Sequence, residues 1–438
     1  MIPLELAEVT ALCAGTLEAA PGATAVTGVK VDSRLVEPGD LFVAVGAGQE
    51  FLADARARSA AATLVPDDAF TALAALGKAV RNRSSAKVVG ITGSMGKTGT
   101  KDILAALCEP QARTVAAEAS FNNELGVPLT LCRLEPDTEV CILELAMRGF
   151  GQIAELAAIA RPGIGAITNV GPVHLELVDS VAGVARAKAE LLRALPPGGT
   201  AVVPAVAPEL EPYLRLEGVD VVRVGGEGDV RLVGLETGER TTRLEVELVD
   251  ERVDVEFNFT GLHHVDNALV ALAVYRALGL PLAHVGWGAR EILFSRWRGE
   301  ELPLPGGGVL INDCYNANPV SMRAALTLLG TRAESRRRVA ILGDMAELGR
   351  RAPAYHEEIG VAAAALGVQA LVAIGPLARG YVEGAVGVDP AVWSPTLEEG
   401  LAAAARIVEP GDCVLVKGSR AMGLEAVVEA LAAEAVTS

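Results

Sequence analysis

Short apolar, β-branched runs alternate with longer stretches of helical periodicity along most of the chain, a pattern that predicts parallel sheets covered by helices. In the first 86 residues VTGVKVDSR and DLFVAVG read as strands, followed by an Ala-rich helix and the strand ATLVP. The polar, basic stretch KAVRNRSSAK, 78–87, then reads as a linker. Beyond it KVVGIT, RTVAA, VCILELA, GIGAITNV and TAVVP read as buried strands separated by helices. Alternating runs such as TTRLEVELV and VDVEFNFT predict a β-rich patch over 219–260, with a helix after it over 265–278. The Pro/Gly-rich LPLPGGG, 302–308, is a second punctuation mark. After it GVLIND, RRVAILGD, ALVAIG and CVLVKGS each lead into a helical stretch. The fold class is therefore α/β, in three domains: 1–86, 87–300 with a central parallel sheet, and 301–438.

Composition narrows the function classes. The 438 residues carry 55 acidic and 38 basic side chains, a formal charge of −17. A general nucleic-acid binder needs a basic footprint, so that class is disfavoured. Apolar residues make up 51%, enough for buried cores and too many for a disordered chain. Six cysteines form no CxxC pair, which predicts reduced, partly buried thiols in a cytosolic protein. The amino terminus MIPLELAEVTALCAG has no early Lys or Arg and is a poor secretory signal. The stretch 359–378 is uncharged for 20 residues, but its glycines and Pro376 split it into helix, turn and strand; no membrane span is expected.

The sharpest local signal is KVVGITGSMGKTGTKDILAAL. A buried strand runs into Gly93-Ser94-Met95-Gly96-Lys97-Thr98, and a helix follows. Glycines let backbone N–H groups turn inward around a phosphate, and the helix N-terminus adds its positive dipole end. Lys97 can reach the β- and γ-phosphates, while the Thr98 hydroxyl can ligate Mg²⁺. The loop is the short TGxxGKT form rather than the full GxxxxGK[ST], and it specifies nucleotide binding rather than a reaction.

Other residues must choose the chemistry. Glu144 ends the apolar run VCILELA, where a carboxylate demands a reason and a metal is the best one. His174 lies just past GAITNV, at the sheet edge where α/β proteins place ligands. Lys188, in VARAKAELL, reads locally as an ordinary surface lysine. Asn122 and Asn123 in SFNNELGVPLT fit either a substrate-facing turn or a turn alone. In INDCYNANP, Asp313, Tyr315, Asn316 and Asn318 could bond a ribose, an adenine or a substrate amide, or form an Asx-rich turn. GDMAELG, 343–349, and VKGSR, 416–420, also follow strands. Lys417, Ser419 and Arg420 offer an anion site or a solvated basic turn.

Together these motifs resemble the Mur ligase family of ATP-dependent amide-forming enzymes, from DSRLVEPGDLFVAVGAG near the start to VKGSRAMGLEAVV near the end. The resemblance implies an N-terminal domain for a UDP-linked substrate, a central P-loop ATPase and a C-terminal Rossmann-like domain. SFNNELGVPLT, INDCYNANPVSM and LGDMAELG are similar to the branch that joins D-alanyl-D-alanine to UDP-N-acetylmuramoyl-tripeptide. A branch adding diaminopimelate or lysine would show YAHTP in place of YNANP. By the same resemblance Asp32, Ser33 and Arg34, with Asn122 and Asn123, belong to the UDP substrate. Asn267, Arg298 and Asp313 hold the adenosine of ATP, beside the loop residues 93–98. Tyr315, Asn316, Asn318, Lys417, Ser419 and Arg420 serve the acceptor side. Mg²⁺ is held by Thr98, Glu144, His174 and Lys188, the last as a carbamate, which turns a cation into an anionic ligand. A cytoplasmic monomer is expected. Two departures stand out: GAGQEF, with Gln49 and Glu50, replaces the family's DGHDF, and Trp297-Arg298 replaces its Gly-Arg. A folylpolyglutamate-type or other muramyl ligase is the first alternative, separable by its acceptor. A nucleotide-binding module without catalysis is the second, separable by metal-dependent ATP turnover.

Overall fold

A computed structural model describes residues 1–118 and 121–437. Among these residues the chain forms four sheets, of two, four, six and nine strands. It divides into two compact units, 1–169 with 185–260 and 266–293, and 170–184 with 261–265 and 294–438.

The first unit holds the two-, four- and nine-stranded sheets. In the four-stranded sheet Gly28–Lys30, Asp40–Val43 and Ala62–Pro66 run parallel, and Gly15–Ala19 pairs antiparallel at the edge. Helix Ala69–Arg83 starts at Asp68, whose carboxylate accepts from Thr71 N at 2.6 Å, and it buries Ala72, Leu73, Leu76 and Val80 on one stripe. It also runs through most of the basic stretch expected to be a linker, leaving only 84–86 before the next strand. Lys78 and Arg83 lie on the exposed side of the helix, while half-buried Arg81 donates to Ala160 O at 2.9 Å.

The nine-stranded sheet runs parallel from Thr114–Ala116 through Val140–Glu144, Lys87–Thr92, Ile164–Ile167, Thr200–Pro204 and Asp220–Val224 to Val230–Thr237. Thr242–Leu248 and Glu251–Phe257 close it antiparallel, so the β-rich patch extends the central sheet. Lys87–Thr92 lies between Val140–Glu144 and Ile164–Ile167. Three parallel neighbours therefore end side by side, at the edge where such sheets carry ligands.

The second unit is built on a six-stranded sheet ordered Glu300–Leu304, Gly308–Asn312, Cys413–Lys417, Arg338–Gly343, Ala370–Ile374 and Ala391–Ser394, all parallel except the first. Along Arg338–Gly343, Ala340 and Leu342 enter one core while Val339 and Ile341 enter the other. Burial on both faces explains why these strands read as unbroken apolar runs. LPLPGGG is a hairpin inside this sheet, since Glu300–Leu304 pairs antiparallel with Gly308–Asn312 across the turn Pro305–Gly307. The uncharged stretch 359–378 spans helix Ala352–Ala365 and strand Ala370–Ile374, and among the described residues no helix is long and apolar enough to cross a membrane.

Candidate functional site: a phosphate loop and two loop clusters

In the first unit the strand Lys87–Thr92 turns at Gly93 and Gly96 into helix Lys97–Cys108. Both glycines have left-handed φ, +156° and +78°. A Cβ on Gly93 would fall 1.8 Å from Thr168 Oγ1, and one on Gly96 2.3 Å from Asn267 Oδ1. Backbone conformation and close approach thus both demand glycine. Ser94 N and Met95 N donate to Asn169 Oδ1 at 3.0 and 2.9 Å, while Thr168 Oγ1 donates to Met95 O at 2.5 Å. Lys97 Nζ donates to Gly93 O at 2.8 Å, folded back over its own loop.

Glu144, fully buried at the end of the adjacent strand, accepts from Thr98 Oγ1 at 2.8 Å and from Asn122 Nδ2 at 2.9 Å. Two donors on two oxygens satisfy a carboxylate that burial alone would not tolerate. Asn122 therefore positions Glu144, whereas Asn123 holds its own turn by accepting from Gly126 N at 3.0 Å, just before helix Gly126–Leu131. Ser120 of the same motif lies outside the described residues.

Lys188 is not the surface lysine of its local reading. It is 2% exposed and makes no hydrogen bond or ion pair among the described residues. Burial, and then the neighbouring charge of Lys97, hold its pKa well below the usual lysine range. A neutral amine is the form that reacts with CO₂, so the environment suits a carbamate.

Asp32 accepts from Arg34 N at 3.0 Å and pairs with its guanidinium at 2.6 Å, which brings the Asp32 pKa to about 2. Ser33 is buried beside them. The DSR turn is thus pre-shaped by its own ion pair.

In the second unit the loops after Gly308–Asn312, Cys413–Lys417 and Arg338–Gly343 leave three neighbouring strands. Lys417 Nζ is buried and donates to Asp313 Oδ2 at 2.7 Å and Asn316 O at 2.8 Å, binding two of these loops together. Ser419 Oγ accepts from Ala346 N at 2.9 Å and joins the third. Asn318 caps helix Pro319–Ala333 in a reciprocal box with Ser321, the Asx role its sequence allowed. Arg298 stacks on the Tyr315 ring at 4.2 Å. His174, at φ +52°, pairs through Nδ1 with Glu347 of GDMAELG, and Glu176 Oε1 accepts from Gly349 N at 3.2 Å.

Sequence reasoning missed Asn169, Thr168 and Glu347. The polar Thr-Asn pair closing an apolar strand was the available signal for the first two. The thiols are buried without disulfides, and burial pushes Cys108, Cys132, Cys141 and Cys314 up to about 12, which removes them as nucleophiles. Among the described residues no cluster of three His, Cys, Asp or Glu is placed to hold a metal.

Residues 91–275 match the Mur ligase middle domain, and residues 297–420 match the Mur ligase, glutamate ligase domain. The chain is 34% identical to the UDP-N-acetylmuramoyl-tripeptide–D-alanyl-D-alanine ligase of a Synechocystis species, covering 94% of this chain and 93% of that one. It is 31% identical to the Escherichia coli enzyme of the same name, over 98% and 99%. Among solved structures it is similar to MurF from Acinetobacter baumannii, with a TM-score of 0.85, 28% identity and coverage of 98% and 99%. It is also similar to MurF from Thermotoga maritima in complex with ADP, with a TM-score of 0.77, 26% identity and coverage of 94% and 98%.

Proposed function

The chain belongs to the Mur ligase family, and from that premise we propose that it uses ATP to join D-alanyl-D-alanine to UDP-N-acetylmuramoyl-tripeptide. The observation that carries the reading is the buried Thr98–Glu144–Asn122 chain beneath a glycine loop bearing Lys97, with buried Lys188 in the same unit. The names of the similar ligases favour this acceptor over a folate-type one.

The tripeptide's terminal carboxylate is a poor acyl donor, because its leaving group would be oxide. Its oxygen attacks the γ-phosphorus of ATP, the bond to the β–γ bridging oxygen breaks, and ADP leaves. The dipeptide amine then attacks the acyl carbon, loses a proton and expels phosphate, forming the amide. Loop amides of Ser94 and Met95, now held by Asn169, would turn to phosphate oxygens, and Lys97 would leave Gly93 O to meet the charge growing on the transferred phosphoryl. Thr98 and Glu144 are hard oxygen donors that fit Mg²⁺, with Lys188 as carbamate completing an anionic set. Carbamate formation joins the Lys188 nitrogen to CO₂ carbon and releases one proton. Mg²⁺ would neutralise phosphate charge there. His174 keeps, as a proposal, the metal-side role of the family resemblance, as do Asn267, Arg298 and Asp313 their adenosine role. Asp32, Ser33 and Arg34 keep the UDP substrate, and Tyr315, Asn316, Asn318, Lys417, Ser419 and Arg420 the acceptor. We place the activity in the cytoplasm and in a monomer with domains 1–86, 87–300 and 301–438.

The test is phosphate release from MgATP with UDP-N-acetylmuramoyl-tripeptide, with and without D-alanyl-D-alanine. Release that needs both, with a product heavier by one dipeptide, is expected. Release indifferent to the dipeptide refutes the acceptor, and no release with any acceptor refutes the ligase.

A further inference from the structure

Trp297 stands at φ +65°, a backbone region that suits glycine and is rarely held by a bulky side chain. Such an outlier persists when its surroundings over-determine it, and its side chain is the place to look for the reason. Three contacts hold the residue. Its N–H donates to Glu300 Oε2 at 3.4 Å, and the same oxygen accepts from Asn312 Nδ2 at 3.1 Å. Its carbonyl accepts from Tyr315 N at 3.3 Å. The indole ring packs against the second unit's core and lies against the Arg420 guanidinium, 4.5 Å from the ring centroid.

Arg420 otherwise has one strong partner, Glu425 Oε1 at 2.6 Å, and its side chain remains 47% exposed. Among the described residues the other Glu425 oxygen is buried without a hydrogen bond, so the carboxylate does not grip the guanidinium as a two-pronged fork. One half-exposed ion pair fixes distance poorly and orientation hardly at all. The indole face supplies what is missing, because a planar guanidinium against a ring has its plane set. Arg420 belongs to the loop that also carries Lys417 and Ser419. Lys417 is already committed to Asp313 and Asn316, and Ser419 to Ala346. Arg420 is therefore the cation of this loop with exposed surface left to offer an anion.

We propose that Trp297 is a positioning residue that holds Arg420 ready for the carboxylate of the incoming acceptor. The inference rests on the ligase reading above for the identity of that anion, but the clamp itself does not. Glycine at 297 would relieve the backbone while removing the ring, so Trp297→Gly separates a role in the side chain from a role in the fold. Trp297→Phe keeps an aromatic face and guards against a merely unstable variant.

Two measurements on the full chain decide it. In the first, modification of Arg420 by an arginine-directed dicarbonyl is followed by peptide mass spectrometry. Trp297→Gly should react several-fold faster than wild type, with Trp297→Phe close to wild type; equal rates overturn the clamp. In the second, KM for D-alanyl-D-alanine should rise about three- to thirtyfold in Trp297→Gly, the range a cation–π contact supports. KM for ATP and kcat should hold, and Trp297→Gly/Arg420→Ala should be no worse than Arg420→Ala alone. An unchanged KM for the dipeptide, or losses that multiply in the double variant, overturns the acceptor role. Wild-type protein lacking dipeptide-dependent turnover overturns the ligase reading and that role together, while the modification rates still decide the clamp.

Discussion

Glu144 offers a way to separate what a buried carboxylate does for the fold from what it does for the chemistry. It accepts one hydrogen bond from Thr98 Oγ1 and one from Asn122 Nδ2 in a fully buried setting. Glu144→Ala strands both donors. At about 1–3 kcal/mol for each orphaned group, the loss is roughly 2–6 kcal/mol. Each kcal/mol lowers Tm by about 2–4 °C for a unit of this size, so a fall of roughly 4–24 °C is expected. Glu144→Gln keeps the shape and the network. Its carbonyl can accept from Asn122, and its amide can donate to the Thr98 hydroxyl, which is free to turn because it carries both a donor and acceptors. Each of the two bonds weakens by about 1 kcal/mol on losing charge. The lower cost of burying an amide than a carboxylate offsets part of that. The Gln variant should therefore melt within about 2 kcal/mol of wild type. Its turnover should nevertheless fall about 10²–10³-fold, the size of effect seen when a preorganised electrostatic partner of a reacting group is removed. Thermal denaturation by circular dichroism and phosphate release at saturating substrates read the two effects separately. A Gln variant that turns over within threefold of wild type refutes the metal-side role of Glu144. An Ala variant that melts with wild type refutes the energetic account of the network.

Lys97→Ala should abolish ATP turnover while leaving UDP-substrate binding intact; calorimetric titration with the UDP substrate and a phosphate assay check both halves, and comparable turnover would sink the role. Gly96→Ala meets φ +78° and an Asn267 oxygen 2.3 Å away, so about 2 kcal/mol of strain and displacement is expected, with ADP binding weakened at least about tenfold. Wild-type ADP affinity in that variant would contradict the close approach. Lys188 has a folded-state pKa below its unfolded value, so between the two the unfolded chain binds the extra proton and stability rises with pH toward about 10.4. In CO₂-free buffer, where Lys188 is a free amine, Lys188→Met should remove that slope and be more stable than wild type at the lower end; parallel urea midpoints from pH 7 to 10 would rule this out.

The phosphate loop was legible because its demands are local: two glycines, a lysine, a hydroxyl and the start of a helix follow one another within six residues. Glu144 was legible for a related reason, since a charge inside an apolar strand contradicts its surroundings. The basic stretch 78–87 misled because a helix end and a linker share polar composition, and only the buried stripe of Ala69–Arg83 distinguishes them. LPLPGGG shows the same ambiguity of composition, since Pro and Gly mark a hairpin within a sheet as readily as any other break in the pattern. Lys188 misled in the opposite direction. Among short apolar neighbours a lysine ordinarily extends to water, and nothing in the adjacent residues says that this one does not.

Residue order along the chain determined the periodicities, and with them the α/β class, the strand–loop–helix of the phosphate site and the family motifs. Those follow from interactions within a few residues, where sequence distance and spatial distance agree. Which residues meet across the sheets is set by strand order. Lys87–Thr92 lies between Val140–Glu144 and Ile164–Ile167, so Glu144, Thr98 and Asn169 converge from distant parts of the chain. Cys413–Lys417 likewise lies beside Gly308–Asn312, which places Lys417 against Asp313. The burial of Lys188, the Asn169 contacts in the phosphate loop and the ring beneath Arg420 belong to this second kind. They depend on long-range packing, and packing is decided only when the whole chain has folded.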